Sequence, residues 1–275
     1  MLEKPKLTYA CATDPLLKKV LIHSIEHLTG RGKLEKVYAT ALQNQNAKTS
    51  FWEAALAAMQ INLAYSEARL TAIPQHTPIV FIANHPFGVL DGLALCYLAA
   101  KTRQDFRILV HSALVREQRI ARYMLPIDFS ETDAAIQTNI ESKRQALAML
   151  RQGGAIVIFP AGGIATTKGP FGQATDLEWK LFTAKLIHMT KATVVPIYFH
   201  GQNSRLFQIV SQFSLTLRLS LIISEVNNKM AKTMYINIGH PMSYEQLAVI
   251  KGRQALINHL RQATYALAHA PDQFS

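Results

Sequence analysis

Cysteine is almost missing from this chain of 275 residues: Cys11 and Cys96 are the only two. A disulfide scaffold is therefore excluded, and the composition agrees with a reducing compartment. Long apolar runs are missing too. LALCYLAA over 93–100 and AIVIF over 155–159 fall far short of the roughly 20 residues that span a bilayer. The N-terminal stretch MLEKPKLTYA holds no apolar core of the signal-peptide kind. The expectation is a cytoplasmic protein that sits on a membrane without crossing it. Acidic residues are scarce, 18 against 29 Lys and Arg, for a net charge of +11. Such a surface attracts anionic lipid, phosphorylated small molecules or nucleic acid alike. The basic residues are scattered, without a nucleic-acid motif or stacking aromatics, so nucleic acid is not an expected partner. Neither G-x-S-x-G nor G-x-x-x-x-G-K-[ST] occurs, which counts against a serine hydrolase of the α/β type and a nucleotide P-loop. Repeats and low-complexity linkers are absent as well.

What is present is a globular composition, 49% hydrophobic and 17% charged, long enough for a large core. Residues 14–28 open with an Asp-Pro start signal. Leu17, Leu21, Ile25 and Leu28 then recur at helical spacing, until Gly30 and Gly32 end the helix. Further helices are expected over 33–43 and 51–65, with Pro74 and Pro78 marking the exit from a helical N-terminal region, 1–75. The pattern then alternates. Strands are expected at 78–83, 107–111, 154–159 and 193–199. Helices are expected from Asp91, near 114–123, 132–152 and 176–190. This alternation predicts an α/β domain over 76–242 with a largely parallel central sheet covered by helices. The run SLTLRLSLIISEVN, 214–227, is ambiguous by period and is read as helix. TMYINI, 233–238, reads as a strand, and 243–275 as a C-terminal helical segment packed on the same domain.

In open α/β sheets, ligands bind beyond the carboxyl ends of the strands. Three such ends carry unusual residues: NHPFGVLDG (84–92), FPAGGIATTKGPFG (159–172) and VVPIYFHGQNSRLF (194–207). His85 follows a strand, and Asp91 lies near the start of a helix, with Gly88 permitting a sharp turn between them. A carboxylate brought back to the imidazole orients the ring and stabilises its protonated form, leaving the other nitrogen to take a proton. Transfer of an acyl group to an alcohol needs such a base. The plainer alternative is that Asp91 caps the helix and His85 satisfies a carbonyl. The Gly-rich turn after Phe159 suits a phosphate or an oxyanion through its backbone N–H groups, with Lys168 as a fixed charge, or it is simply a turn.

Together these segments resemble the lysophospholipid acyltransferase superfamily, which contains the 1-acylglycerol-3-phosphate acyltransferases. Within it, the chain is most similar to the bacterial hemolysin-like, or ornithine-lipid-type, branch. NHPFGVLDG, FPAGG (159–163) and VVPIYFHGQNS (194–204) carry the resemblance in order and separation over roughly 15–250, and LTGRGKLEKVY (28–38) adds to it. The resemblance implies a glycerolipid-acyltransferase fold, with 76–242 as the acyltransferase domain. It implies His85 as general base, Asp91 as its orienting carboxylate, and direct attack on a thioester with no acyl-enzyme. Asn84, Phe87 and Gly88, and the FPAGG turn of Phe159, Pro160, Ala161, Gly162 and Gly163, would line the substrate site. The donor would be acyl-CoA or acyl-carrier protein as co-substrate, with no cofactor and no metal. The acceptor would be a lysolipid at an anionic membrane surface, in membrane lipid biosynthesis.

Two departures stand out. Five residues separate His85 from Asp91, where the broader superfamily has four; the hemolysin-like branch shares the longer spacing. The superfamily's third motif, Phe-Pro-Glu-Gly-Thr-Arg, has Ala161 and Gly163 in place of its Glu and Thr here, and no Arg follows. Either Lys168 or Arg205 replaces the missing charge, or the acceptor is not a simple lysophosphatidate; a lyso-ornithine lipid is the alternative. Arg116, Arg119 and Arg122 lie where the second motif's arginine is expected, though a helix surface explains them equally well.

Other features carry less. His23 and His27 in HSIEH form an inverted zinc-protease pattern without a third ligand. Cys96 reads as core, and Trp52 and Trp179 as packing residues. His200 and Arg205 flank a polar loop. Lys18 and Lys19 beside Leu16, Leu17 and Val20 give the first helix a membrane-facing alternative to packing on the domain. The rivals to an acyltransferase are a thioester or lipid hydrolase using the same His85, and a non-catalytic module binding anionic lipid or nucleic acid.

Overall fold

A computed structural model describes residues 15–28, 30–44, 49–114, 118–169, 172–213 and 215–270. Three helices open the chain, α1 (Leu16–Leu28), α2 (Arg31–Asn44) and α3 (Phe51–Ala58), followed by strand β1 (Asn62–Ala64) and α4 (Glu67–Thr71). Next come β2 (Ile79–Ala83), α5 (Val89–Thr102), β3 (Phe106–His111), α6 (Gln118–Ala121), β4 (Met124–Ile127), α7 (Asp133–Arg151) and β5 (Ala155–Ile158). The chain continues through α8 (Phe182–Thr190), β6 (Thr193–Phe199), α9 (Arg205–Phe213), α10 (Leu215–Lys229) and β7 (Thr233–Ile238), then α11 (Tyr244–Ala248) and α12 (Arg253–Ala266).

The seven strands form one sheet in the order β1-β7-β6-β2-β5-β3-β4. Every pair is parallel except β6–β7, so the expected largely parallel α/β sheet is what the chain builds. β2, β5 and β6 are buried along their whole length, as strands covered on both faces must be. The period of two divides β2 between two cores. Ile79, Phe81 and Ala83 pack with Phe51, Trp52, Leu95, Phe106 and Phe199 on one face. Val80 and Ile82 pack with Trp179, Leu186, Ile187, Leu256 and Leu260 on the other. Each such side chain contributes about 1.5–3 kcal/mol by leaving water. Cys96 and Trp52 are core, as their surroundings in the sequence suggest.

Three expectations need correction. The helix expected over 51–65 ends at Ala58, and Asn62–Ala64 is a strand. Gln60 takes a left-handed φ of 55°, Ile61 N–H bonds back to Leu56 O, and the chain then pairs with β7. Tertiary pairing thus overrides the helical propensity of the run. Of the helix near 114–123, the described residues show a 3₁₀ turn (Ser112–Leu114) and α6, after which Met124–Ile127 adds an edge strand that tolerates Pro126. The helix near 176–190 starts only at Phe182, leaving 176–181 as a loop against the strand ends. The reading of 214–227 as helix holds in α10, and 233–238 is β7, antiparallel to β6. Side chains of Leu17, Lys18, Leu21, Ile25 and Leu28, on which the amphipathic reading of the first helix rests, lie outside the described residues, as does Cys11.

Candidate active site

β2 lies between β5 and β6 and runs parallel to both, so the segments after Ala83, Ile158 and Phe199 leave the sheet along one edge. Asn84 ties two of these segments together. Its Nδ2 donates to Phe199 O at 2.9 Å, and its Oδ1 accepts Phe199 N–H at 2.7 Å. Both ends of the amide are thereby committed to fixing where β2 stops relative to β6.

The next residue is His85, whose side chain keeps 17% of its surface exposed. Its Nδ1 stands 3.1 Å from Oδ2 of the fully buried Asp91, outside the angular range of a well-formed hydrogen bond but within ion-pair distance once the ring is charged. The same oxygen accepts the N–H groups of Phe87 at 2.7 Å and Gly88 at 3.0 Å. Asp91 thus both caps α5 and faces the imidazole, so the two readings of the sequence are not exclusive. Burial raises the Asp91 carboxyl above its ordinary value, and His85 and the two N–H donors partly offset this. Gly88 makes the geometry possible. Its φ is 77°, and a Cβ there would stand 2.7 Å from Cδ1 of Ile164.

The FPAGG turn closes over the imidazole. Phe159 stacks on the His85 ring, with centroids 3.9 Å apart and planes 23° from parallel. Ala165 N–H donates to His85 O at 2.8 Å, tying the end of the turn to the histidine backbone. Pro160 and Ala161 are buried, whereas Gly162 is exposed with a φ of 72°. Gly162 N–H donates back to Phe159 O at 2.9 Å, while the N–H groups of Gly163 and Ile164 have no partner among the described residues. An oxyanion fits such a turn.

Lys168 is exposed, and Arg205, also exposed, donates to Gly172 O at 3.1 Å from the first turn of α9. Arg122 lies on the Tyr123 ring, 4.7 Å from its centroid, and donates to its hydroxyl. Arg116 and the side chain of Arg119 fall outside the described residues. His23 is exposed beside Glu26 and Arg31, and His27 is exposed. His200 packs edge-on against Tyr198.

Residues outside the sequence motifs complete the neighbourhood. Asp176 Oδ1 accepts the main-chain N–H of His85 at 3.0 Å, and Oδ2 accepts the Trp179 indole N–H at 2.9 Å. Burial raises this carboxyl too, with Trp179 partly offsetting it. From α10, Arg218 Nη2 donates to Ile164 O at 3.0 Å, and Lys229 Nζ stands 4.6 Å from the Phe87 ring centroid. The D-x-x-W spacing of Asp176 and Trp179 was available in the sequence as a signal; Arg218 and Lys229 had none beyond their charge.

A lyso-glycine lipid O-acyltransferase of Phocaeicola vulgatus is 27% identical over 206 residues, 72% of this chain and 71% of that protein. One of Bacteroides thetaiotaomicron is 25% identical over 203 residues, 71% and 72% of the two chains. The crystal structure of the 1-acyl-sn-glycerophosphate acyltransferase PlsC from Thermotoga maritima superposes with a TM-score of 0.47 at 11% identity, covering 94% of this chain and 98% of that one. The acyltransferase family matches residues 46–273, a span that takes in α3, the whole sheet and α12. The chain belongs to the acyltransferase family.

Proposed function

We propose that the protein is a lysolipid O-acyltransferase in which His85 is the general base. The observation that carries this reading is the His85–Asp91 pair, 3.1 Å apart, at the carboxyl edge of a parallel sheet in an acyltransferase chain. Nδ1 faces the carboxylate, so Nε2 is the nitrogen left to receive the acceptor's hydroxyl proton. The hydroxyl oxygen attacks the thioester carbonyl carbon, and the C–O bond forms. The C–S bond then breaks, and the proton held on His85 returns to the departing thiolate. The products are an ester and a free thiol. Phe159 shields one face of the ring from water, and the N–H groups of Gly163 and Ile164 are donors for the developing oxyanion.

The acceptor is a lysolipid. The curated relatives act, by name, on lyso-glycine lipid, and a lysolipid with an amino-acid head group is the first acceptor to test beside lysophosphatidate. The donor is acyl-CoA or acyl-carrier protein. No helix among the described residues is long and apolar enough to cross a membrane. With a net charge of +11 and a lipid acceptor, the protein works on the anionic cytoplasmic face of a membrane without spanning it.

The test incubates purified protein with both donors and a panel of lysolipids, and follows diacylated product by mass together with thiol release. His85→Ala is expected to lower turnover by about 10²–10⁴, the usual worth of a general base. Undiminished transfer by a folded His85→Ala protein rejects the assignment. Release of free fatty acid without any acceptor favours a hydrolase.

A further inference from the structure

α10 carries two cations toward the candidate site. Arg218 and Lys229 are eleven residues apart, so at 3.6 residues per turn they fall on one stripe of the helix. Ile222 and Glu225, both buried, lie on that stripe between them. Arg218 reaches the FPAGG turn: besides its bond to Ile164 O, its Nη2 would stand 4.0 Å from a Cβ at position 163. Lys229 reaches the other turn, over the Phe87 ring, and donates to Gln202 O at 3.1 Å.

Neither cation forms an ion pair with a carboxylate among the described residues. Glu225, the acid nearest in sequence to Lys229, accepts both the N–H and the hydroxyl of Ser204. Each cation is partly buried, and burial depresses both their pKa values. Holding the partly buried Arg218 guanidinium against one main-chain carbonyl and the Phe207 ring is unfavourable, and an anion beside it removes the penalty; Lys229, by contrast, is attracted by Glu225 and Asp91. Arg218 retains N–H donors beyond the one given to Ile164, in the fork that suits a carboxylate or phosphate.

We propose that Arg218 binds the oxyanion of the acceptor's head group, phosphate or carboxylate, beside the FPAGG turn, with Lys229 adding positive field from the far end of α10. On this view α10 supplies the positive charge that the FPAGG turn does not carry itself. The proposal rests on the lysolipid acyltransferase reading and adds specificity-determining residues to it.

The experiment measures kcat and KM for donor and acceptor in the wild type, Arg218→Met, Arg218→Lys and Lys229→Met, with lysophosphatidate and lyso-glycine lipid as acceptors. Arg218→Met is expected to raise the acceptor KM about tenfold or more, with the donor KM within about twofold. Arg218→Lys recovers part of the loss, and Lys229→Met acts in the same direction. A rise in the donor KM instead, or a fall in kcat with both KM values unchanged, overturns the proposal.

Calorimetric binding of lysophosphatidate and of uncharged monoacylglycerol to His85→Ala protein separates this question from turnover. Adding Arg218→Met should weaken binding of the anionic lipid alone. Equal weakening of both lipids, or of neither, removes the pocket even if the wild type is active. Selective weakening in a protein whose wild type transfers nothing keeps the pocket and removes the transferase reading.

Discussion

Asp176 holds the main chain of His85 in place: its Oδ1 accepts the histidine N–H at 3.0 Å, across 91 positions of sequence. The other oxygen is taken by Trp179, so the carboxylate joins the loop before α8 to the end of β2. Asp176→Ala leaves two buried donors unanswered. At roughly 1–3 kcal/mol each, a loss of about 2–6 kcal/mol in urea unfolding is expected, with turnover reduced because the imidazole is no longer fixed. Trp179→Phe leaves Oδ2 of Asp176 without its donor and removes buried volume from the core, and should cost a comparable amount.

Asp91 makes stability depend on pH in a defined direction. Its carboxyl is raised in the folded protein, so the native state binds the proton more tightly than the unfolded chain does. Its contribution is therefore fully present below the unfolded value of about 3.9 and is lost as pH rises through the higher native value. Asp91→Asn removes that titration. The melting temperature of Asp91→Asn relative to the wild type should increase from pH 4 toward neutrality, by an amount on the order of 2–4 °C per kcal/mol. Transfer activity of the wild type should rise over the same range, because the ionised carboxylate is the form that orients the ring. A constant or shrinking difference in melting temperature contradicts the buried-carboxylate account.

The conformation of Gly88 is needed for Asp91 to meet both turn N–H groups and the ring. Gly88→Ala places a methyl group in a positive-φ conformation and 2.7 Å from Ile164 Cδ1. The expected cost is about 1–3 kcal/mol of stability, with a larger proportional loss of activity. Combining it with Ile164→Ala removes the contact but not the backbone strain, so the double variant should recover only part of the activity.

Phe159 stacks on the imidazole and has no group that reacts. Phe159→Leu keeps an apolar wall and gives up the stacking, worth about 0.5–1.5 kcal/mol. We expect kcat to fall about tenfold or less, with the acceptor KM little changed. A rise in KM alone would assign Phe159 to lipid binding.

Much of the frame was legible in the sequence because it depends on local pattern. Short β-branched runs ending in polar Gly-containing turns gave β2, β5 and β6, and hence the edge where His85 and the FPAGG turn meet. The parts that escaped depend on distant partners. β1 is a strand because residues 233–235 pair with it, although its own sequence continues a helical pattern. β4 is an edge strand containing Pro126, a residue that argues against a strand anywhere but at an edge. At the site, the resemblance implies Asn84 as a substrate-site residue, and the structure shows its amide bonded to Phe199, a partner 115 positions away. Lys168, in the segment of the turn itself, and Arg205, after the β6 strand end, are the basic residues the motifs offer, yet Arg218, 54 residues beyond Ile164, is the one bonded to it. Membership of a strand-end motif is the guide the sequence offers to charge placement, and a helix crossing back over the strand ends defeats it.

Because β2 lies between β5 and β6, the chemistry cannot exist early in the life of the polypeptide. A chain synthesised only as far as α7 already contains His85 and Asp91. It still lacks the ring that stacks on the imidazole, the carboxylate that holds its backbone, and the strand to which Asn84 is bonded. A ribosome-bound fragment of that length should therefore carry no reactive centre, and competence should arrive only after the segment through Phe199 has left the exit tunnel and docked.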